Sequence, residues 1–423
     1  MFTIELVDAL DGSDALAKRR RAAAERAVAA GQPSFTAEEW RYTPIDDLDV
    51  SHYSFGAPGG TAGPVGLLGG VDAAAAAVVR ITNGVVVEAT VRCEGISVCT
   101  LGDGAEDLMG IVAADGPDVF GDWNLALASA PIAIRIDPRA VVRAPIIVHC
   151  HTDADALAWF PRLVVDAGRT SEATVIEHHT SGDGPALISP LTELSVGDGA
   201  NLAHLTVQEL GSAVWQIANH CADVGRDGNL RIGHVAMGGE YARARIETTM
   251  TGRGGHSEID AVYFGQGTST LDFRTFQTHV APHTTSDLLF KGAVDDHGRA
   301  VYTGLIRIEA DAAHVVAEQT NRILKLSPHA WAQSVPNLEI ENNDVQCSHA
   351  SSIGPVNADQ RFYLESRGVP TDVAEALVVR GFFGEVLEVL PSVEVAASVR
   401  DRIDQLLDDP AEHRAASDSG AAA

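Results

Sequence analysis

At 423 residues the chain is long enough for one large domain or two to three ordinary ones, and its 45% hydrophobic residues can fill a sizeable core. Thirty basic against 58 acidic residues leave a formal net charge of −28. That excess argues against nucleic acid and anionic membranes as partners, because both are bound through basic residues. The five cysteines (Cys93, Cys99, Cys150, Cys221 and Cys347) are scattered, odd in number and form no CxxC pair, so neither a disulfide framework nor a structural zinc site is expected.

The N-terminal region, to about Val50, reads as helical. Ser13 is placed to cap a helix through the Ala- and Arg-rich run that follows it, ending near Gly31 and Pro33. The basic triplet Arg19-Arg20-Arg21 leads into Ala-rich helical sequence and not into an apolar signal core, and no stretch is long enough to span a bilayer. A cytoplasmic, reduced protein is therefore expected. The compact cluster Glu39-Trp40-Arg41-Tyr42-Thr43-Pro44 leaves the helical pattern at its proline. Gly56 to Ala76, rich in Gly and Ala, reads as a loose connection that closes an N-terminal region of residues 1–76.

From Ala77 to about Gly354 the texture changes. Short β-branched runs recur, as in Gly84-Val-Val-Val-Glu-Ala-Thr-Val and Ile132-Ala-Ile-Arg-Ile. Between them lie Gly/Asp/Asn turns, and those following Val196, Val224 and Thr251 recur at about 27–29 residues. No amphipathic helix of a dozen residues interrupts the series, which excludes a doubly wound α/β fold. A sandwich, a barrel and a parallel β-helix remain, and the near-constant interval favours the β-helix. Residues 355–410 return to helix: Asn357 or Asp359 opens one segment, Pro370-Thr371-Asp372 the next, and Val393 to Leu407 carry amphipathic spacing in a third. The Ala/Ser/Asp-rich tail 411–423 is expected to be disordered.

Two segments carry a resemblance. Leu338-Glu-Ile-Glu-Asn-Asn-Asp-Val-Gln-Cys-Ser-His349 followed by Phe362-Tyr-Leu-Glu-Ser-Arg-Gly368 resembles the signature of the SufB/SufD family of iron–sulfur cluster assembly proteins, on its SufD side. The Trp40-Arg41-Tyr42-Thr43 cluster is similar to what precedes the β-helix in that branch. The resemblance implies a right-handed parallel β-helix between helical ends, whose C-terminal helices dock a SufC-type ATPase and whose β-helix pairs with a SufB-type paralogue. It also implies a transient iron–sulfur cluster at that interface, and no cofactor bound stably by the chain alone. The chain carries no GxxxxGK[ST] loop, so ATP hydrolysis belongs to a partner and the expected role is a non-enzymatic scaffold. A homodimer in isolation is a further expectation. Two other readings stand beside it: a β-helix carbohydrate-active enzyme, disfavoured by the missing signal peptide and the few aromatics and lysines, and a SufB-like scaffold that itself bears the cluster.

Cys347 and His349, at i and i+2, share one face of a strand together with Val345. A thiol and an imidazole suit iron–sulfur chemistry, but two ligands do not complete a site. On the resemblance, His349 is the first candidate cluster-proximal ligand at the partner interface and Cys347 the second; a buried structural cysteine beside a rung-ending histidine is the alternative. His149 and His151 also share a face, but no third ligand follows at a recognisable spacing, and a strand ending at a turn accounts for them. His178 and His179 point to opposite faces and read as structural. The aromatic residues Phe362, Tyr363, Phe382 and Phe383, with Leu364 and Arg367, divide between a local core and a docking patch for the ATPase.

Overall fold

The computed structural model describes residues 2–408; the tail expected to be disordered (411–423), and the last two residues assigned to the helical region, lie outside the described residues. The strands form two sheets, one of 12 strands and one of 10. From Leu191–Val196 onward they alternate along the chain between the two sheets and pair in parallel with the strand two positions on, whereas Ala77–Thr82 pairs with Val85–Val91, and Ile96–Cys99 with Ile132–Ile136, antiparallel. The chain therefore winds as a parallel β-solenoid of about eight turns. Asn201 stacks on Asn229, Asn229 on His256 and His256 on Thr285, offsets of 28, 27 and 29 residues. The interval visible in the sequence is the length of one rung.

The strands of the middle rungs are buried on both faces. In Asn201–Glu209, Leu202 points into the solenoid while Leu205 and Val207 point out beneath other elements. Strands buried on both sides read as continuous apolar runs without clean alternation. At one corner a left-handed residue recurs on successive rungs: Thr170 (φ 56°), Gly199 (64°), Asp227 (52°), Gly254 (74°), His283 (60°) and His314 (61°). Each donates its N–H to a carbonyl of the next rung, as Gly199 does to Arg226 and Asp227 to Arg253. A Cβ at Gly254 would lie 2.4 Å from the Asp227 carboxylate, so at that one rung the corner favours glycine.

Helices cover the outer faces. Ser13 caps Asp14–Ala30, its Oγ accepting from Leu16 N at 3.3 Å, and Gly31 (φ 72°) ends it. The Trp40 cluster straps the N-terminal region onto the 12-stranded sheet: Trp40 is buried under the Arg243 guanidinium, 3.8 Å above its ring. Arg243 also donates to Glu39 O at 3.0 Å, and Arg274 to Arg41 O at 2.8 Å. The 10-stranded sheet is covered by Thr371–Leu387 and Val393–Asp408, whose Val379, Phe383, Val395 and Val399 pack on Val207, Val235, Val262 and Phe264. Each such burial is worth about 1.5–3 kcal/mol.

One expectation is corrected. Gly56–Ala76 is not loose: Leu67 and Leu68 are buried in the same layer as the C-terminal helices, and Leu67 N donates to Glu209 Oε2 at 2.7 Å. A Gly/Ala-rich composition conceals two leucines that anchor the crossing. No helix of the described residues is long and apolar enough to cross a membrane.

Candidate functional site

The solenoid ends on two ten-residue strands, Trp331–Ile340 and Val345–Gly354, each at the edge of its sheet. Both are half-buried or exposed along their whole length, whereas the strands inside the stack are largely buried. Cys347 and His349 lie on the second. In register, Cys347 stacks on Ala317 and His349 on Gln319, positions that point into the lumen one rung earlier. At the last rung that face has nothing above it, so His349 is exposed. Cys347 is half-buried against Ile306, Ile308, Val315 and Ala317, and this partial burial raises its thiol above the ordinary range. The fold thus puts the two on one face, and among the described residues no third donor group joins them.

The histidines set aside on sequence grounds fall into two groups on opposite faces of the same sheet. On the outer face, His178 Nδ1 lies 3.2 Å from His149 Nε2 and His178 Nε2 lies 2.7 Å from Glu209 Oε2, beneath the crossing segment. His151 hydrogen-bonds Thr180 at 2.9 Å. Burial drives the His149 imidazole down to about 3, with the neighbouring His178 adding to the effect, so His149 stays neutral. These residues fasten a covering segment.

The inner face holds what sequence reasoning missed. Glu177, His179, His204, His220 and His234 project into the lumen of the middle rungs, all buried. Glu177 Oε1 lies 2.9 Å from His179 Nε2, and Oε2 accepts from Thr192 Oγ1 at 2.7 Å. Burial raises the Glu177 carboxyl, but the hydrogen bonds and charge of His179 and His204 outweigh it and hold the group well below the usual range. Burial lowers His220 to about 3. Rings continue along the lumen from His204 to His220 at 5.9 Å, to His234 at 5.8 Å and to Phe273 at 5.3 Å. Only strand register brings these residues together, since Glu177 and His220 are 43 positions apart on different sheets; the inward parity of Glu177 and His179 was the one local signal.

The aromatic residues of the C-terminal region separate cleanly. Phe362 is 70% exposed and Tyr363 59%, on helix Ala358–Glu365, with Arg367 stacked 5.2 Å from the Tyr363 ring. Leu364 and Phe382 are half-buried, and Lys291 sits 4.8 Å from the Phe382 ring. Phe383 is 1% exposed, 6.3 Å from the Phe264 ring, and belongs to the core.

Residues 149–382 match the family described as SUF system FeS cluster assembly, SufBD core domain. A SufBD family protein of Mycobacterium tuberculosis is 30% identical over 297 residues, covering 68% of this chain and 73% of the relative. The iron–sulfur cluster assembly protein SufD of Bacillus subtilis is 30% identical over 272 residues, 63% of this chain and 62% of the relative. Its Escherichia coli namesake is 26% identical over 393 residues, 89% of this chain and 90% of that protein.

Proposed function

Since the chain belongs to the SufBD family of iron–sulfur cluster assembly proteins, we propose that it is a non-enzymatic, SufD-like scaffold that joins a SufB-type paralogue edge to edge and carries a SufC-type ATPase on its C-terminal helices. The observation that carries this reading is the bare last rung. Two edge strands with unpaired backbone groups are a template for strand addition from another chain. Ile340 (44% exposed) and Ile353 (39%) add apolar surface there. His349 and Cys347 stand on this same rung, so a strand arriving from the partner would face them and could complete a donor set they lack. His349, the more exposed, is the nearer to a nascent cluster in this reading, and the cluster is cargo shared across the interface.

The ATPase dock is assigned to Phe362, Tyr363, Leu364 and Arg367, with Phe382 at its margin. Phe383 takes no part in it, being occupied inside. Removing the whole C-terminal region is a poor test, because Val379, Val395 and Val399 cover the 10-stranded sheet and their loss would expose its apolar face. Point substitution is better. Co-expression with SufB-type and SufC-type partners, followed by size-exclusion chromatography with light scattering, should give a three-component complex. Phe362→Asp with Tyr363→Asp should lose the ATPase and keep the paralogue. His349→Ala should leave the complex intact and slow cluster assembly in it. A complex that keeps its ATPase in the double variant sinks the dock, and an unchanged assembly rate in His349→Ala sinks the ligand.

A further inference from the structure

The lumen carries a donor cluster for which the scaffold role has no use. Glu177, His204 and His220 come from three strands, Glu172–Ser181, Asn201–Glu209 and Val214–Val224, the first two on one sheet and the third on the other. Their ligand atoms all lie within 4.8 Å of one another. The three side chains are buried, at 1%, 0% and 2% exposure. His204 Nε2 is paired with Glu177 Oε2 at 3.3 Å, while His204 Nδ1 and both ring nitrogens of His220 have no hydrogen-bond partner among the described residues. A buried polar atom left unpaired is costly, because it has lost its water without gaining a partner. Three of them beside a carboxylate are therefore expensive unless something occupies the space between.

We propose that Glu177, His204 and His220 form a buried site for one first-row divalent transition metal of the zinc or ferrous class. Two imidazoles and a carboxylate are the protein ligand set of open zinc sites and of ferrous facial triads. Nitrogen donors disfavour calcium and magnesium, which take oxygen ligands. Metal–ligand bonds of about 2.0–2.2 Å place tetrahedral donors about 3.3–3.6 Å apart, so side-chain adjustments of about 1 Å close the site. Supporting contacts are already in place: Thr192 Oγ1 donates to Glu177 Oε2, and His179 Nε2 lies within hydrogen-bond distance of Oε1, which together fix the carboxylate's orientation.

This site is separate from the terminal donors. His204, Ile232, Ile259, Leu288, Gln319 and His349 stack in one row, so His204 and His349 stand five rungs apart, about 24 Å. The test uses the full chain produced in zinc-supplemented medium and dialysed against a chelator, with metal counted by mass spectrometry. About one zinc per chain should remain, both in the wild type and in Cys347→Ala/His349→Ala. Glu177→Gln and His220→Gln should each lower that count at least ten-fold, in keeping with the loss of a ligand. Should those variants fail to fold, the wild type still decides: chain refolded with zinc should melt several degrees above chain refolded with chelator, and refolding with cobalt should give the visible bands of a four-coordinate nitrogen–oxygen site. A zinc-loaded wild type with no retained metal and no thermal shift overturns the proposal. So does metal that survives Glu177→Gln and His220→Gln but disappears from Cys347→Ala/His349→Ala.

Discussion

Arg162 and Glu193 are each fully buried and paired side chain to side chain. Glu193 also accepts from the N–H groups of Gly110, Val112 and Ala113 at 2.7–2.9 Å, so one carboxylate ties the loop after residue 108 to the sheet. Removing one member of a buried pair leaves an uncompensated charge, and Glu193→Ala should cost about 3–5 kcal/mol in urea denaturation. Asp260 makes the opposite case. Burial, with help from Glu258 and Asp287 and against Arg231, raises its carboxyl to about 8. Its folded value lies above its unfolded one, so between about pH 4 and pH 8 the folded state binds more protons and stability falls as pH rises. The slope from this group is at most about 1.4 kcal/mol per pH unit. Asp260→Asn should flatten that decline and raise the melting temperature at pH 8; an unchanged pH profile would show that the carboxyl is not held protonated. At this scale the sequence was partly legible. It placed Cys347 and His349 on one face because i and i+2 parity is local. It could not assemble Glu177, His204 and His220, because their meeting depends on rung length and on which corner each strand turns.

Among the elements, the C-terminal helices divide the chain's scarce aromatics between core and surface. Phe383 fills the core over Phe264, and Phe383→Ala should cost about 3–5 kcal/mol. Phe362→Ala, at a site 70% exposed, should stay within about 0.5 kcal/mol of wild type by the same measurement while weakening ATPase capture. Equal destabilisation by the two would contradict their placement. Helix existence was legible because Ser13, Asn357 and Pro370 mark their starts by capping and by fixed backbone geometry. The side each aromatic faces was not, since adjacent phenylalanines at 382 and 383 differ only in angle about the helix. The crossing at Gly56–Ala76 misled for a related reason: what pins it is a pair of leucines and the distant Glu209, and neither follows from local composition.

For the whole molecule, charge and edges pull in opposite directions. A bare pair of edge strands favours self-pairing in isolation, while a net charge of −28 on each copy repels it. Self-association of the isolated chain should therefore strengthen with salt, as screening shortens the reach of the repulsion. Light scattering across an ionic-strength series checks this, and a monomer at every salt concentration would mean that the edge needs the paralogue's sequence and not merely a strand. The rung interval made the solenoid legible from turns alone, because each corner repeats one backbone solution whatever side chain occupies it.

Those corners have a consequence in time. Each left-handed turn residue hands its N–H only to the next rung, and apolar cover from both ends of the chain is concentrated on the earlier and middle rungs, leaving the last strands the barest. A stack with nearest-neighbour cohesion and one uncapped end frays from that end. Backbone amides of Val345–Gly354 should exchange with deuterium fastest among the strands and those of Asn201–Glu209 among the slowest, and arrival of a partner strand should slow the former by clamping the end of the stack.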